Sequence, residues 1–269
     1  MRTSVLLVFL LALGAQQTAS DREAWNKPAE PFKVIGNIFY VGAEGVSAFL
    51  IRTDDGAILI DGGLPETAPH IAASIAKLGV DIREVQVLLN SHAHFDHGGG
   101  LAELKRLTGA SLAVSGPDAD RLEEGEPSMP AVRVDRRVSD GDTVQLGETT
   151  LTANVTPGHT KGCTTWTMTT QEAQRDYRVL FHCSTSVVDT LVGNTHYPDI
   201  VADYERTFAR LREMKADVFL SNHPWFFRMA QKVEQTRAGG PNPFVDASEL
   251  QRFNDRQEAQ FRATLEKQR

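Results

Sequence analysis

The chain has 269 residues, enough to bury a large core, which excludes a mini-protein that depends on staples. Hydrophobic residues make up 41% and charged residues 23%, the balance of a globular protein and not of a disordered or low-complexity chain. Lys and Arg total 28 against 35 Asp and Glu, a net charge of −7; no basic run could follow a phosphate backbone, so nucleic acid is not an expected partner.

In chain order, Met1 and Arg2 make a short basic start, Val5 to Leu13 is an apolar run, and small residues follow at Ala15, Ala19 and Ser20. This pattern reads as a secretory signal peptide over residues 1–20. Spanning a bilayer takes roughly 20 apolar residues, about twice this run, so no membrane anchor is expected after cleavage. Residues 21–269 then form a single domain in a periplasmic or secreted setting. There a disulfide between Cys163 and Cys183 is allowed, with a pair of buried free thiols as the alternative.

After Asp21, short β-rich runs alternate with helical patterns, which predicts an α/β fold. Val34 to Val41 and Ala48 to Asp61 read as strands, with a hairpin turn at Asp54-Asp55-Gly56. Pro65 to Leu78 has helical spacing and Gly79 sits at its stop. Val85 to Leu89 reads as a strand buried on both faces, Leu101 to Leu107 as a helix and Ser111 to Val114 as a strand. Gly116 to Asp142 reads as a short helix plus a surface loop. Strands are expected at Thr143 to Val155, Cys163 to Thr169, Arg178 to Phe181 and Asp217 to Leu220, and helices at Tyr204 to Met214 and Ala247 to Lys267.

The sharpest feature is Ser91-His92-Ala93-His94-Phe95-Asp96-His97-Gly98, at the tip of the buried strand. A lone histidine is usually structural. Three with an aspartate at a buried tip are costly unless something binds them together, and imidazole plus carboxylate is a ligand set suited to Zn²⁺. His92 and His94, two apart, should point the same way, while Asp96 and His97 can turn toward a neighbouring point, so one segment could serve two metals. His159 in Thr156-Pro157-Gly158-His159-Thr160 and His223 in Ser221-Asn222-His223-Pro224 follow other strands.

This H-x-H-x-D-H motif, with the later histidines, resembles the metallo-β-lactamase superfamily over roughly Val34 to Pro224. The resemblance implies a four-layered αβ/βα sandwich with the metal site at the edge between two β-sheets. It also implies two Zn²⁺ per chain, one held by His92, His94 and His159, the other by Asp96, His97 and His223. Thioesterases and lactonases of the superfamily usually carry an Asp bridging both metals; here Phe181-His182-Cys183-Ser184-Thr185-Ser186 puts Ser184 at the expected place. The pattern is closer to the third subclass of class B β-lactamases, in which Ser184 and Ser186 would contact the substrate carboxylate. Thr164-Thr165-Trp166 and the Cys163/Cys183 pair match that subclass too. Lys161, where Pro is common, and the run Gly98-Gly99-Gly100 depart from its pattern.

The implied activity is hydrolysis of the β-lactam amide of penicillins, cephalosporins and carbapenems by zinc-activated water, without a covalent acyl-enzyme. His92, His94, His159 and Asp96 would be its catalytic residues. No Ser-x-x-Lys suggests an acyl route. A thioesterase or lactonase on the same scaffold, and a secreted zinc-binding protein without catalysis, are the competing readings. The expected partner is a small-molecule β-lactam, and the expected state a monomer. His70, His182 and His196 read as structural or exposed, and Asp61 as a carboxylate that supports a ligand histidine.

Overall fold

The computed structural model describes residues 22–269, so the signal-peptide reading of residues 1–20 lies outside the described residues. A seven-stranded sheet runs β1 (Phe32–Ile35), β2 (Ile38–Tyr40), β3 (Phe49–Thr53), β4 (Gly56–Ile60), β5 (Val85–Leu89), β6 (Ser111–Ser115) and β7 (Arg136–Val138), in that spatial order. β1 to β4 are antiparallel and β4 to β7 parallel. A five-stranded sheet follows, from β8 (Thr143–Leu146), β9 (Thr149–Val155), β10 (Thr164–Glu172), β11 (Arg175–His182) and β12 (Val218–Ser221). There β8 to β11 are antiparallel, and β12 adds parallel to β11.

Alternation of side chains across each strand sorts the core into layers. Ile38, Phe49, Ile51, Ile58 and Ile60 of the first sheet meet Leu151, Trp166, Met168 and Phe181 of the second. The opposite face of the first sheet, through Leu50, Leu59, Leu88 and Leu112, is covered by α1 (Ala68–Lys77), α3 (Leu101–Thr108) and α4 (Gly116–Glu124). Beyond the second sheet, α5 (Ile200–Glu213) and α7 (Glu249–Gln268) pack on each other through Tyr204, Phe208, Phe261 and Leu265, while Leu211, Leu250 and Phe253 of the same helices join the main core. Helix, sheet, sheet, helix is the expected four-layered sandwich.

Two expectations need correcting. The reading of a loop up to Asp142 missed β7, a three-residue edge strand whose Arg136 and Arg137 are exposed and so carry no apolar alternation. Thr143 to Val155 is not one strand but the hairpin β8–β9, which turns at Gly147, where φ is +56°. A helix unmarked by apolar periodicity, α6 (Met229–Ala238), lies between β12 and α7; between them only Met229 and Lys232 of it are buried.

Strand directions place the chemistry. β4, β5 and β6 are parallel, so Asp61, the histidine segment and the start of α4 all leave one edge of the first sheet. In the second sheet β9, β11 and β12 end, and β10 begins, at a common edge, which brings together His159, Cys163, Cys183 and His223. Loops at the carboxyl ends of parallel strands are the usual seat of ligands in open α/β sheets.

Candidate metal centre

The histidine segment is held in a fixed shape. After β5, His94 is extended, and a one-turn helix, α2 (Phe95–Gly98), carries Asp96 and His97 inward. The glycine run beyond it is explained by contact: a Cβ on Gly99 would lie 2.2 Å from the Phe95 carbonyl oxygen, and one on Gly100 would lie 2.2 Å from that of Gly62. Only bare backbone lets α2 approach the 62–65 segment so closely.

His92, His94 and His159 converge. His159 Nε2 lies 3.1 Å from both His92 Nε2 and His94 Nδ1, although β5 and β9 belong to different sheets. The outer ring nitrogens fix the tautomers. His159 Nδ1 donates to the Ser186 carbonyl at 2.7 Å, and His92 Nδ1 faces Ser91 Oγ at 3.1 Å, whose own proton goes to Asp61 Oδ2. On both rings Nε2 is therefore a bare lone pair, and two lone pairs 3.1 Å apart repel unless a cation lies between them.

The second group has the same character. His223 Nδ1 donates to the Gly45 carbonyl at 2.8 Å, leaving its Nε2 as an acceptor 3.5 Å from Asp96 Oδ2. His97 Nε2 lies 3.2 Å from the same oxygen, and its buried Nδ1 has no hydrogen-bond partner, with Asp61 Oδ2 3.7 Å away. The Asp96 carboxylate and the His223 lone pair, brought together from α2 and the loop after β12 with His97 beside them, fit a divalent cation, and N/O donor sets of this kind suit Zn²⁺. A third cluster, His92 with Cys163 and Cys183, offers no thiolate because the cysteines form a disulfide with a Cα–Cα distance of 5.8 Å.

Electrostatics agree with the geometry. Burial holds His92 well below the ordinary imidazole value, helped by repulsion from His97. Burial likewise takes His94 and His223 down to about 3 and His159 to about 4, so these rings are neutral. Burial opposes charge on His97 too, but Asp96 and Asp61 outweigh it and raise its pKa. Burial also resists ionisation of Asp96, yet the adjacent His97 holds its carboxyl below the carboxylate range.

A profile of the metallo-beta-lactamase superfamily matches residues 41–223. The chain belongs to this superfamily. Its fold is similar to that of BJP-1, a subclass B3 metallo-beta-lactamase of Bradyrhizobium japonicum, with 43% identity, a TM-score of 0.88 and coverage of 91% of this chain and 97% of that one. FEZ-1 metallo-beta-lactamase from Legionella gormanii gives 36% identity and a TM-score of 0.88 over 90% and 97%. A hydroxyacylglutathione hydrolase of Hyphomonas neptunium is 36% identical over 109 residues, 40% of this chain and 38% of that protein. The chain thus spans about two fifths of the length of the curated relatives it matches.

In this superfamily member all six sequence-selected ligands face one site. Asp61 supports it as expected: its carboxylate accepts from Ser91 N at 2.6 Å, Ser91 Oγ at 2.7 Å and Asn90 Nδ2 at 3.0 Å, from a residue at φ +65°. Ser186 is half-buried at the site, and its carbonyl also accepts the Tyr204 hydroxyl at 2.7 Å. Ser184 is buried, and its Oγ accepts the Ser186 amide at 3.3 Å. His182 is buried in the core against Phe253, while His196 lies exposed and its carbonyl accepts Lys161 Nζ. The sequence reading missed Trp225, stacked on His223 at 4.2 Å and 48% exposed, and Trp25, 5.6 Å from the same ring. The signal for Trp225 was its place two residues after His223. Nothing local marks Trp25.

Proposed function

We propose that the chain is a zinc-dependent β-lactamase that opens the β-lactam amide of penicillins, cephalosporins and carbapenems without a covalent acyl-enzyme. The observation that carries this reading is the pair of convergent donor sets, with a serine, Ser184, buried at the position where a thioesterase would need a bridging carboxylate. The near-complete overlap with subclass B3 structures supports it, against partial overlap with the hydroxyacylglutathione hydrolase.

His92, His94 and His159 would hold one Zn²⁺ and Asp96, His97 and His223 the other. Bound there, zinc supplies Lewis acidity and lowers the pKa of water toward 7. The chain's part is to keep four imidazoles neutral by burial, to fix the tautomers of His159, His92 and His223 through Ser186, Ser91 and Gly45, and to keep Asp96 ionised as a ligand that orients the attacking water. Ser186 at the site and the Ser184 hydroxyl, which still has its proton to donate, would meet the substrate carboxylate. Trp225 offers an apolar wall beside His223. No side-chain nucleophile is required, and both cysteines are tied up. The buried disulfide also supports a periplasmic or secreted location, and the −7 charge supports a small-molecule partner over nucleic acid. A monomer is proposed.

The test is carbapenem hydrolysis by the purified protein, followed by ultraviolet absorbance, with chelator and then with zinc restored. Turnover that chelation removes and zinc restores is expected. A folded protein that holds two zincs yet leaves the β-lactam intact would overturn the substrate, and thioesters and lactones would be assayed next.

A further inference from the structure

One buried carboxylate joins the two histidine loops and takes no part in the chemistry above. Asp118, in the first turn of α4, is 3% exposed. Its Oδ2 accepts the Ala93 amide at 2.9 Å and the Thr160 hydroxyl at 2.8 Å, and its Oδ1 accepts the Gly162 amide at 3.0 Å. One turn later on the same helix, Arg121 Nε donates to the Ala93 carbonyl at 2.9 Å. Ala93 separates His92 from His94, so one helix grips that residue by both its N–H and its C=O. Thr160 and Gly162 follow His159, so the same carboxylate reaches the loop of the other sheet. Close approach is built into the backbone, since a Cβ on Gly162 would lie 2.6 Å from the Asp118 carboxyl and 2.2 Å from Ser115 Oγ.

The three-histidine cluster needs such a brace. The inward nitrogens of His92 and His159 are acceptors 3.1 Å apart, which repel before any cation arrives, and β5 and β9 share no ladder that would hold them. Asp96, His97 and His223 receive no bond from Asp118.

We infer that Asp118 is a positioning residue: it fixes His92 and His94 against His159 and so sets the affinity of the three-histidine set for a divalent cation. This rests on the two-metal reading of the site. An Asp118→Asn side chain has a single acceptor oxygen and must turn its NH₂ toward the amide of either Ala93 or Gly162, so one of those bonds is lost.

The experiment titrates Zn²⁺ into the metal-stripped full chain against a chromogenic chelator, with Co²⁺ absorption as a second readout. It is run in a His223→Ala background, which keeps the three-histidine set, and in a His159→Ala background, which keeps the other. Asp118→Asn is expected to weaken Zn²⁺ about 10–100-fold in the first, the size typical of lost outer-sphere partners, with altered Co²⁺ bands, and less than about 2-fold in the second. Thr160→Val, which removes one donor, should give a smaller loss in the first background alone, and Thr160→Ser should restore affinity. Should Asp118→Asn fail to fold, the Thr160 pair carries the same contrast. Equal losses in both backgrounds, or none in the first, overturn the inference. If the unsubstituted chain binds two ions and Asp118→Asn changes neither, only this inference falls; if it binds none, the two-metal reading falls with it.

Discussion

The two donor sets solve the same problem differently. The three-histidine set brings neutral imidazoles from two sheets to within 3.1 Å, has no charge of its own, and is held by hydrogen bonds from outside: Ser186, Ser91 and the α4 clamp. The other set contains Asp96, and its electrostatics are internal, because the carboxylate and Asp61 raise the pKa of His97 while His97 lowers that of Asp96. Mechanical bracing dominates one half and charge balance the other. On the proposed two-metal reading a cation would complete both, removing a repulsion in the first and displacing a proton in the second.

The largest effects should come from removing a ligand. His159→Ala and His223→Ala should each cut β-lactam turnover by more than the roughly 10–100-fold of outer-sphere changes and cost one zinc per chain by metal analysis. A variant with full turnover and full zinc would take that residue out of the site.

Next in size is the disulfide, which closes a separation of 20 residues. Replacing both cysteines by serine should lower unfolding free energy by about 3 kcal/mol in urea titration. Cys183 Sγ lies 3.6 Å from His92 Nδ1, so zinc loss should fall first on the three-histidine set; equal loss from both sets would blur the contrast between them.

Acid should separate stability from metal. His94, His159 and His223 have folded pKa values of about 3, 4 and 3, whereas the unfolded imidazole titrates near 6.5. Between those values the unfolded chain binds more protons, so the metal-free protein should lose stability as pH falls below about 6.5. His97 acts with opposite sign: its contribution is present in acid and fades as pH rises through its raised pKa. Denaturant unfolding at pH 7.5 and pH 5, with zinc and without, checks this; a metal-free protein equally stable at both would contradict it.

Trp225→Ala should be the mildest. Loss of one aromatic contact is worth about 0.5–1.5 kcal/mol, so KM for β-lactams with bulky substituents should rise no more than about 10-fold with kcat little changed. A fall in kcat of the same size would mean that Trp225 holds His223 in place and does not serve as a wall.

Much of this protein was legible in one dimension. Strong apolar runs gave β5 and the helix at Leu101, and the dense H-x-H-x-D-H segment marked four candidate ligands, because neighbouring donors on one loop need no partner to be noticed. β7 and α6 escaped, since an edge strand with exposed arginines and a helix with two buried residues carry no periodic signal.

The sequence by itself determined the layered α/β class, the donor types available to a metal and the absence of a carboxylate at position 184. Only tertiary structure decided that the loops after β5, β9 and β12 meet at one edge, that His92 and His159 stand lone pair to lone pair, and that Asp118 ties two of those loops together. Donor chemistry is a property of each side chain, whereas convergence depends on strand direction and on hydrogen bonds between residues 25 and 42 positions apart, which no local pattern records.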